Sequence, residues 1–120
     1  MKNKTFISSV RCALNGLFLA LEQEKNFKAY LLHMLLTVPL NIYCQYTAME
    51  WVAYIICVCV VFATECANTA VERLCDFLTE EHNDKIKVVK DMAAGAVICA
   101  GFAFYLTEII LVCSHLLCGC

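Results

Sequence analysis

The chain has 120 residues, 62% of them hydrophobic, with ten cysteines and a formal net charge of −2. Its mean hydropathy of +0.70 is too high for an ordinary soluble domain of this length, and the length allows one domain at most. Nine basic against eleven acidic residues exclude the strongly basic surface typical of nucleic-acid-binding proteins. The composition therefore predicts a single membrane domain without a nucleic-acid partner.

The cysteines lie mainly inside apolar segments, and no CxxC pair is present. Two CxC pairs occur, at Cys57/Cys59 and Cys118/Cys120, but neither has companion ligands at the spacing of a zinc site. We interpret most of these thiols as small apolar side chains that pack within helices. The pattern predicts neither a cysteine metal site nor disulfides inside the apolar segments.

Residues 1–28 place apolar side chains near helical spacing, with basic residues between them. This pattern predicts an amphipathic helix that lies on the membrane surface. Taken alone, the segment fits the core helix of a soluble domain equally well, and Asn15 and Gly16 interrupt its apolar face.

Three apolar stretches follow. Residues 29–46 contain no Asp, Glu, Lys or Arg and reach the lower end of spanning length; a membrane helix tolerates Pro39 within them. Residues 51–77 are expected to form one long helix, the second span with a cytoplasmic extension. A hydrophilic loop over residues 79–91 leads to a third span over residues 92–118. The expected fold is all-α, with three transmembrane helices and an N-terminal amphipathic surface helix in one membrane domain.

Charge asymmetry predicts the orientation. Five of the nine Lys and Arg residues precede the first span. The other four lie between Arg73, near the polar end of the second span, and Lys90, just before the third span. The positive-inside rule then places the N-terminus and the 79–91 loop in the cytoplasm. Glu108 interrupts the third span about 24 Å beyond Met92, so we expect it near the opposite interface, without a catalytic role.

An acidic face marks the end of the second span, where Glu65, Asn68, Glu72 and Asp76 recur at helical spacing. On a helix, Glu65 and Glu72 lie about 20° apart. Ionisable groups at the membrane are costly and indicate function, although a polar cap that ends a buried helix is the alternative. Carboxylates suit Mg²⁺, a lysine suits phosphate, and a further carboxylate accepts a proton. The residues alone indicate an acidic site at the membrane interface, and metal and phosphate binding is one chemistry that it would suit.

The motif around this face is ECANTAVERLCD, followed by TEEHN and then KDMAAGAV. It resembles the bacterial diacylglycerol kinase and undecaprenol kinase family, whose members share an E-x-x-N-[ST]-A-[IV]-E-x-x-x-D core and a KD-x-[AG]-[AS]-[AG]-AV stretch. Upstream, ALNGLFLALEQEKNFK resembles the surface helix of that family, with Gly16 and Glu24 in place. The EKNFK segment is more similar to the undecaprenol branch.

The resemblance implies an ATP- and Mg²⁺-dependent lipid kinase of the bacterial cytoplasmic membrane, a multi-pass homotrimer with sites shared between neighbours. Undecaprenol is the favoured lipid alcohol and diacylglycerol the second. The resemblance makes Glu65 the proton acceptor and gives Glu24 and Glu72 to the metal. The nucleotide-binding residues it implies are Glu24, Glu72, Glu81, His82, Asn83, Lys90 and Asp91. Asn68, Asn15 and Gly16 are the expected supporting or substrate-contacting residues.

The chain departs from the family at several positions. His82 and Asn83 replace a Tyr-His or His-His pair, and Thr5 and Cys12 are poor matches to the nucleotide contacts of the diacylglycerol branch. Two other functions stay open from the residues alone. One is an ion- or proton-conducting oligomer built on Glu65, and the other is a structural membrane adaptor.

Overall fold

The computed structural model describes residues 5–118, so residues 1–4 of the expected surface helix and Cys120 lie outside the described part. Within it the chain forms four α-helices and no strand, which confirms the all-α prediction for these residues. The helices are α1 (Phe6–Gln23), α2 (Lys25–Tyr43), α3 (Ala48–Leu78) and α4 (Asp84–Leu117).

Local sequence explains where the helices begin. The Thr47 hydroxyl accepts a hydrogen bond from the Glu50 amide, and the Glu50 carboxylate accepts one from the Thr47 amide. This reciprocal capping box starts α3. Asn83 starts α4, because its side-chain oxygen accepts from the amides of Lys85 and Ile86. The prediction of a loop over residues 79–91 is therefore wrong from residue 84 onward, where α4 has already begun.

The two long helices form an antiparallel pair. Glu50 at the start of α3 meets His115 near the end of α4, and Asp76 near the end of α3 meets Lys90 near the start of α4. The core between them is a cluster of four buried residues, which are Tyr54, Val61, Ala100 and Phe104. The single long helix expected over residues 51–77 is confirmed by α3.

Helix α2 packs on this pair through aromatic side chains. The Tyr30 ring stacks on Tyr105, with centroids 6.5 Å apart, and His33 lies edge-on to Phe104 at 5.1 Å. A Cβ at Gly101 would lie 3.0 Å from the Tyr30 hydroxyl, so glycine allows this close approach. The helix continues through Pro39.

Among the described residues, α3 and α4 are long and apolar enough to cross a membrane. Their lengths correspond to about 46 and 51 Å at 1.5 Å per residue, more than the roughly 30 Å hydrocarbon core of a bilayer. Many of their outward side chains are large, apolar and exposed, such as Ile55, Phe102 and Ile109. The first predicted span, over residues 29–46, falls largely on α2, which is not among these two helices.

Candidate active site

A break in the helix places Glu24 between α1 and α2. Its backbone is extended, with φ −97° and ψ 129°, and its amide donates to the Ala20 carbonyl to close α1. The Glu24 side chain makes no capping hydrogen bond to α2. The half-buried carboxylate is instead close enough to Glu65 on α3 for the two charges to interact.

The Glu65 side chain is 2% exposed, although it is ionisable. Asn26 Nδ2, on the first turn of α2, donates a hydrogen bond of 3.1 Å to Glu65 Oε1. One turn further along α3, the Thr69 hydroxyl donates to the Glu65 backbone carbonyl at 3.0 Å. A buried carboxylate is unfavourable unless it is hydrogen-bonded. The hydrogen bond from Asn26 therefore stabilises the Glu65 carboxylate and holds it in position.

Glu72 lies about two turns after Glu65 on α3. It is near enough to Glu65, and to Lys90 on α4, for a weak interaction between the charges. Lys90 Nζ also donates a 2.8 Å hydrogen bond to Asp76 Oδ1, which joins the ends of α3 and α4. The predicted acidic face is therefore brought together with the predicted lysine. Asn68 Oδ1, on the same helix, is buried without a hydrogen-bond partner in the described chain.

A polar groove of about 360 Å³ lies where α3 leads into α4. Five residues predicted to bind nucleotide line it together, namely Glu81, His82, Asn83, Lys90 and Asp91. Asp76 and Lys87 also line the groove. The polar contacts at this groove are exposed: Lys87 Nζ forms an ion pair with Asp91 Oδ2 at 2.7 Å, and His82 Nε2 forms a hydrogen bond with Asp84 Oδ1 at 2.8 Å. Glu24 and Glu72 do not line this groove.

Two of the predicted supporting residues lie elsewhere. Gly16 lines a separate apolar groove of about 240 Å³ between α1 and α3, with Cys12, Cys66 and Arg73 among its other residues. Asn15 is exposed and lines neither groove. Their role as substrate contacts stays a prediction.

The carboxylates at this end suit a magnesium ion, although the described chain contains no group of three His, Cys, Asp or Glu side chains near enough to hold a metal. Glu24 and Glu72 both lie near enough to Glu65 to interact with its charge. One or two carboxylates are sufficient for Mg²⁺, which completes its shell with water and phosphate oxygens. Glu24 and Glu72 are the donors that would hold the expected metal, and Mg²⁺ binding stays a prediction.

The comparisons with known proteins show the family. A family model described as prokaryotic diacylglycerol kinase matches residues 11–112. The chain belongs to the prokaryotic diacylglycerol kinase family. The undecaprenol kinase of Bacillus subtilis (strain 168) is 28% identical over 95 residues, which cover 79% of this chain and 76% of that relative. No solved structure gives a significant match.

Membership of the diacylglycerol kinase family confirms the resemblance drawn from the sequence motif, and the matched segment includes every predicted site residue. Asn26, in the EKNFK segment, was not predicted as a site residue, although its side chain contacts Glu65. The available signal was an amide side chain in the first turn of α2, two positions after Glu24.

Proposed function

We propose that this member of the diacylglycerol kinase family transfers the γ-phosphoryl group of ATP to the hydroxyl group of a membrane lipid at the cytoplasmic interface. The observation that carries the proposal is the row of acidic side chains along α3, from the buried Glu65 through Glu72 to Asp76, which lies 2.8 Å from the groove-lining Lys90. This row supports a proton acceptor on the same helix face as a site suited to polyphosphate, as phosphoryl transfer requires.

In this mechanism Glu65 accepts the proton of the lipid hydroxyl as its oxygen attacks phosphorus. Asn26 holds the carboxylate through Oε1, so Oε2 is the oxygen that receives the proton. Lys90 exchanges its contact with Asp76 for a phosphate oxygen, and Asp91 with residues 81–83 contacts the nucleotide. Glu24 and Glu72 would hold Mg²⁺, which neutralises phosphate charge when bound.

The proposal also includes the identity of the lipid acceptor. Undecaprenol is favoured because the relative at 28% identity is named an undecaprenol kinase. Diacylglycerol is the second candidate, since the matching family model is described as diacylglycerol kinase. Both substrates present a primary hydroxyl group at the membrane interface, so the same Glu65 chemistry serves either.

The membrane arrangement is also proposed. Helix α2 would act as the first of three spans in a homotrimer of the bacterial inner membrane, with the N-terminus in the cytoplasm. Its exposed apolar side chains support this role, since Leu35 and Leu36 are 71% and 66% exposed. A surface of this kind needs lipid or a neighbouring subunit to cover it.

The test is phosphate transfer from radiolabelled ATP by the purified protein in detergent–lipid micelles, with undecaprenol and diacylglycerol offered separately. We expect Mg²⁺-dependent labelling of a lipid, greater with undecaprenol. Labelling of diacylglycerol alone would support the proposed kinase activity but make diacylglycerol, and not undecaprenol, the lipid acceptor. No labelling of either lipid by a protein that remains folded and oligomeric would overturn the proposed function.

A further inference from the structure

A second buried carboxylate lies at the opposite end of the helical pair. Glu108 on α4 is 7% exposed, Asn41 on α2 is fully buried, and Tyr46 in the α2–α3 connection is 7% exposed. Asn41 Nδ2 donates to Glu108 Oε1 at 3.2 Å, and the Tyr46 hydroxyl donates to the same oxygen at 3.0 Å. The location of Glu108 near the opposite membrane interface stays a prediction. Its side chain points into the protein interior.

The two donors leave two buried oxygens without partners. Glu108 Oε2 and Asn41 Oδ1 are both buried and make no hydrogen bond in the described chain. No Lys, Arg or His within residues 5–118 forms an ion pair with Glu108. An ionised carboxylate buried in this way is unfavourable, and so is an unpaired amide oxygen.

One proton satisfies both oxygens. A neutral carboxylic acid has one O–H donor, and its carbonyl oxygen accepts two hydrogen bonds. With the proton on Oε2, Glu108 donates to Asn41 Oδ1 while Oε1 accepts from Asn41 and Tyr46. The acid and the amide then exchange two hydrogen bonds, and every polar atom of the pair has a partner.

We propose that Asn41, Tyr46 and Glu108 form a proton-binding site that locks α2 to α4, with Glu108 held as the neutral acid. The site is independent of the proposed kinase chemistry, because it lies at the other end of α3 and α4.

The neighbouring titratable groups do not supply an alternative charge partner. The Tyr54 hydroxyl on α3 pairs with Thr37 at 2.7 Å, and His33 on α2 packs against the Phe104 and Tyr105 rings. The imidazole of His115 is bonded to Glu50 at 2.9 Å and stacks on the Tyr46 ring. Cys44, beside Tyr46, is a further titratable side chain at this cluster.

Infrared spectroscopy of the full-length protein in lipid tests the proposal, because a protonated carboxylic acid has a carbonyl stretching band that a carboxylate lacks. At neutral pH we expect Glu108→Gln to remove this band from the wild-type spectrum. Glu50→Gln is the matched control, an acid at the same end that is paired with His115, and should leave the band in place. Identical wild-type and Glu108→Gln spectra in this region would show an ionised Glu108 and overturn the proposal.

Two further measurements protect the test against a variant that fails to fold. Tyr46→Phe removes one hydrogen bond to the acid carbonyl, so the band should persist and move to higher wavenumber. Because the folded state holds the proton, wild-type thermal stability should fall as alkaline pH removes it, and the band should disappear in parallel. A bound cation is the competing occupant, and stability that rises in sodium over choline chloride at equal ionic strength would contradict the proton site.

Discussion

The two ends of the α3–α4 pair use ionisable residues differently. At the end with the groove, the side chains of the Lys90–Asp76 pair are 38% and 67% exposed. At the opposite end, those of the His115–Glu50 pair are 14% and 19% exposed, and Glu108 is buried among neutral donors. Both ends therefore join the same two helices, but only the first leaves its charges open to solvent.

This difference in exposure suggests different roles for the two ends, one in ligand binding and the other in stability. An exposed ion pair contributes little to stability, so Lys90 can exchange Asp76 for a ligand at little cost. The half-buried contact between His115 and Glu50 is less open to water, so losing one partner leaves the other with a polar group that is poorly solvated. We infer that the groove end is built to bind and that the Glu50–Glu108 end is built to hold the helices together.

The largest effect should come from Glu65→Gln. The amide keeps the shape of the side chain but cannot accept the hydroxyl proton, so we expect turnover to fall by about 10²–10⁴-fold with little change in nucleotide binding. Initial rates and equilibrium binding of an ATP analogue measure the two effects. Glu22→Gln, an exposed acid on α1, is the control and should keep its activity. Near-normal turnover of Glu65→Gln would remove Glu65 from the base role.

Glu24→Ala and Glu72→Ala should each raise the Mg²⁺ concentration needed for half-maximal activity, by about 10–100-fold. Each change removes one oxygen ligand from a hard cation. Metal titrations of the initial rate measure the shift, and Glu22→Ala provides the matched control two residues from Glu24. Titration curves that coincide with the wild type would show that these carboxylates do not share a metal.

Asn26→Ala should lower turnover by about tenfold, because a hydrogen bond to a charged group is lost. The Mg²⁺ requirement should stay the same, since Asn26 touches Glu65 and neither proposed metal ligand. Gln23→Ala removes an exposed amide three residues earlier and serves as the control. A change in the metal requirement without a change in turnover would contradict the positioning of Glu65 by Asn26.

The smallest kinetic effect should come from Glu50→Gln. This change weakens the contact with His115 and the capping box of α3, so the melting temperature should fall while KM for ATP and the Mg²⁺ requirement stay at wild-type values. Thermal unfolding and initial rates on the same preparation measure both. A selective rise in KM would mean that the two ends are coupled and that their separation is wrong.

Much of this molecule could be predicted from periodicity and local motifs. The length of α3 follows from its uninterrupted apolar run, and the shared face of Glu65 and Glu72 follows from helical spacing. The start of α4 carried a local signal as well, since Asn83 is a favourable capping residue followed by Asp84. The prediction of a loop over residues 84–91 followed from their hydrophilic character and did not take the Asn83 cap into account.

The remaining contacts join residues far apart in the sequence, and local patterns do not determine them. Asn26 is 39 residues from Glu65, and Asn41 is 67 residues from Glu108. Each pair depends on how α2 crosses the long helices, which packing of the Tyr30 and His33 rings sets. The partners of a buried carboxylate therefore became visible only in the folded chain.

Cysteine accessibility tests the separation of the two ends most directly, because the account requires the groove end to meet cytoplasmic ATP. In a functional variant without native cysteines, Asp84→Cys at the groove end and Met49→Cys at the opposite end each provide one exposed thiol. We expect membrane-impermeant maleimide to label Met49→Cys in intact cells, and Asp84→Cys only after lysis. Labelling of Asp84→Cys in intact cells, with Met49→Cys protected until lysis, would place the acidic site away from ATP and contradict the kinase mechanism.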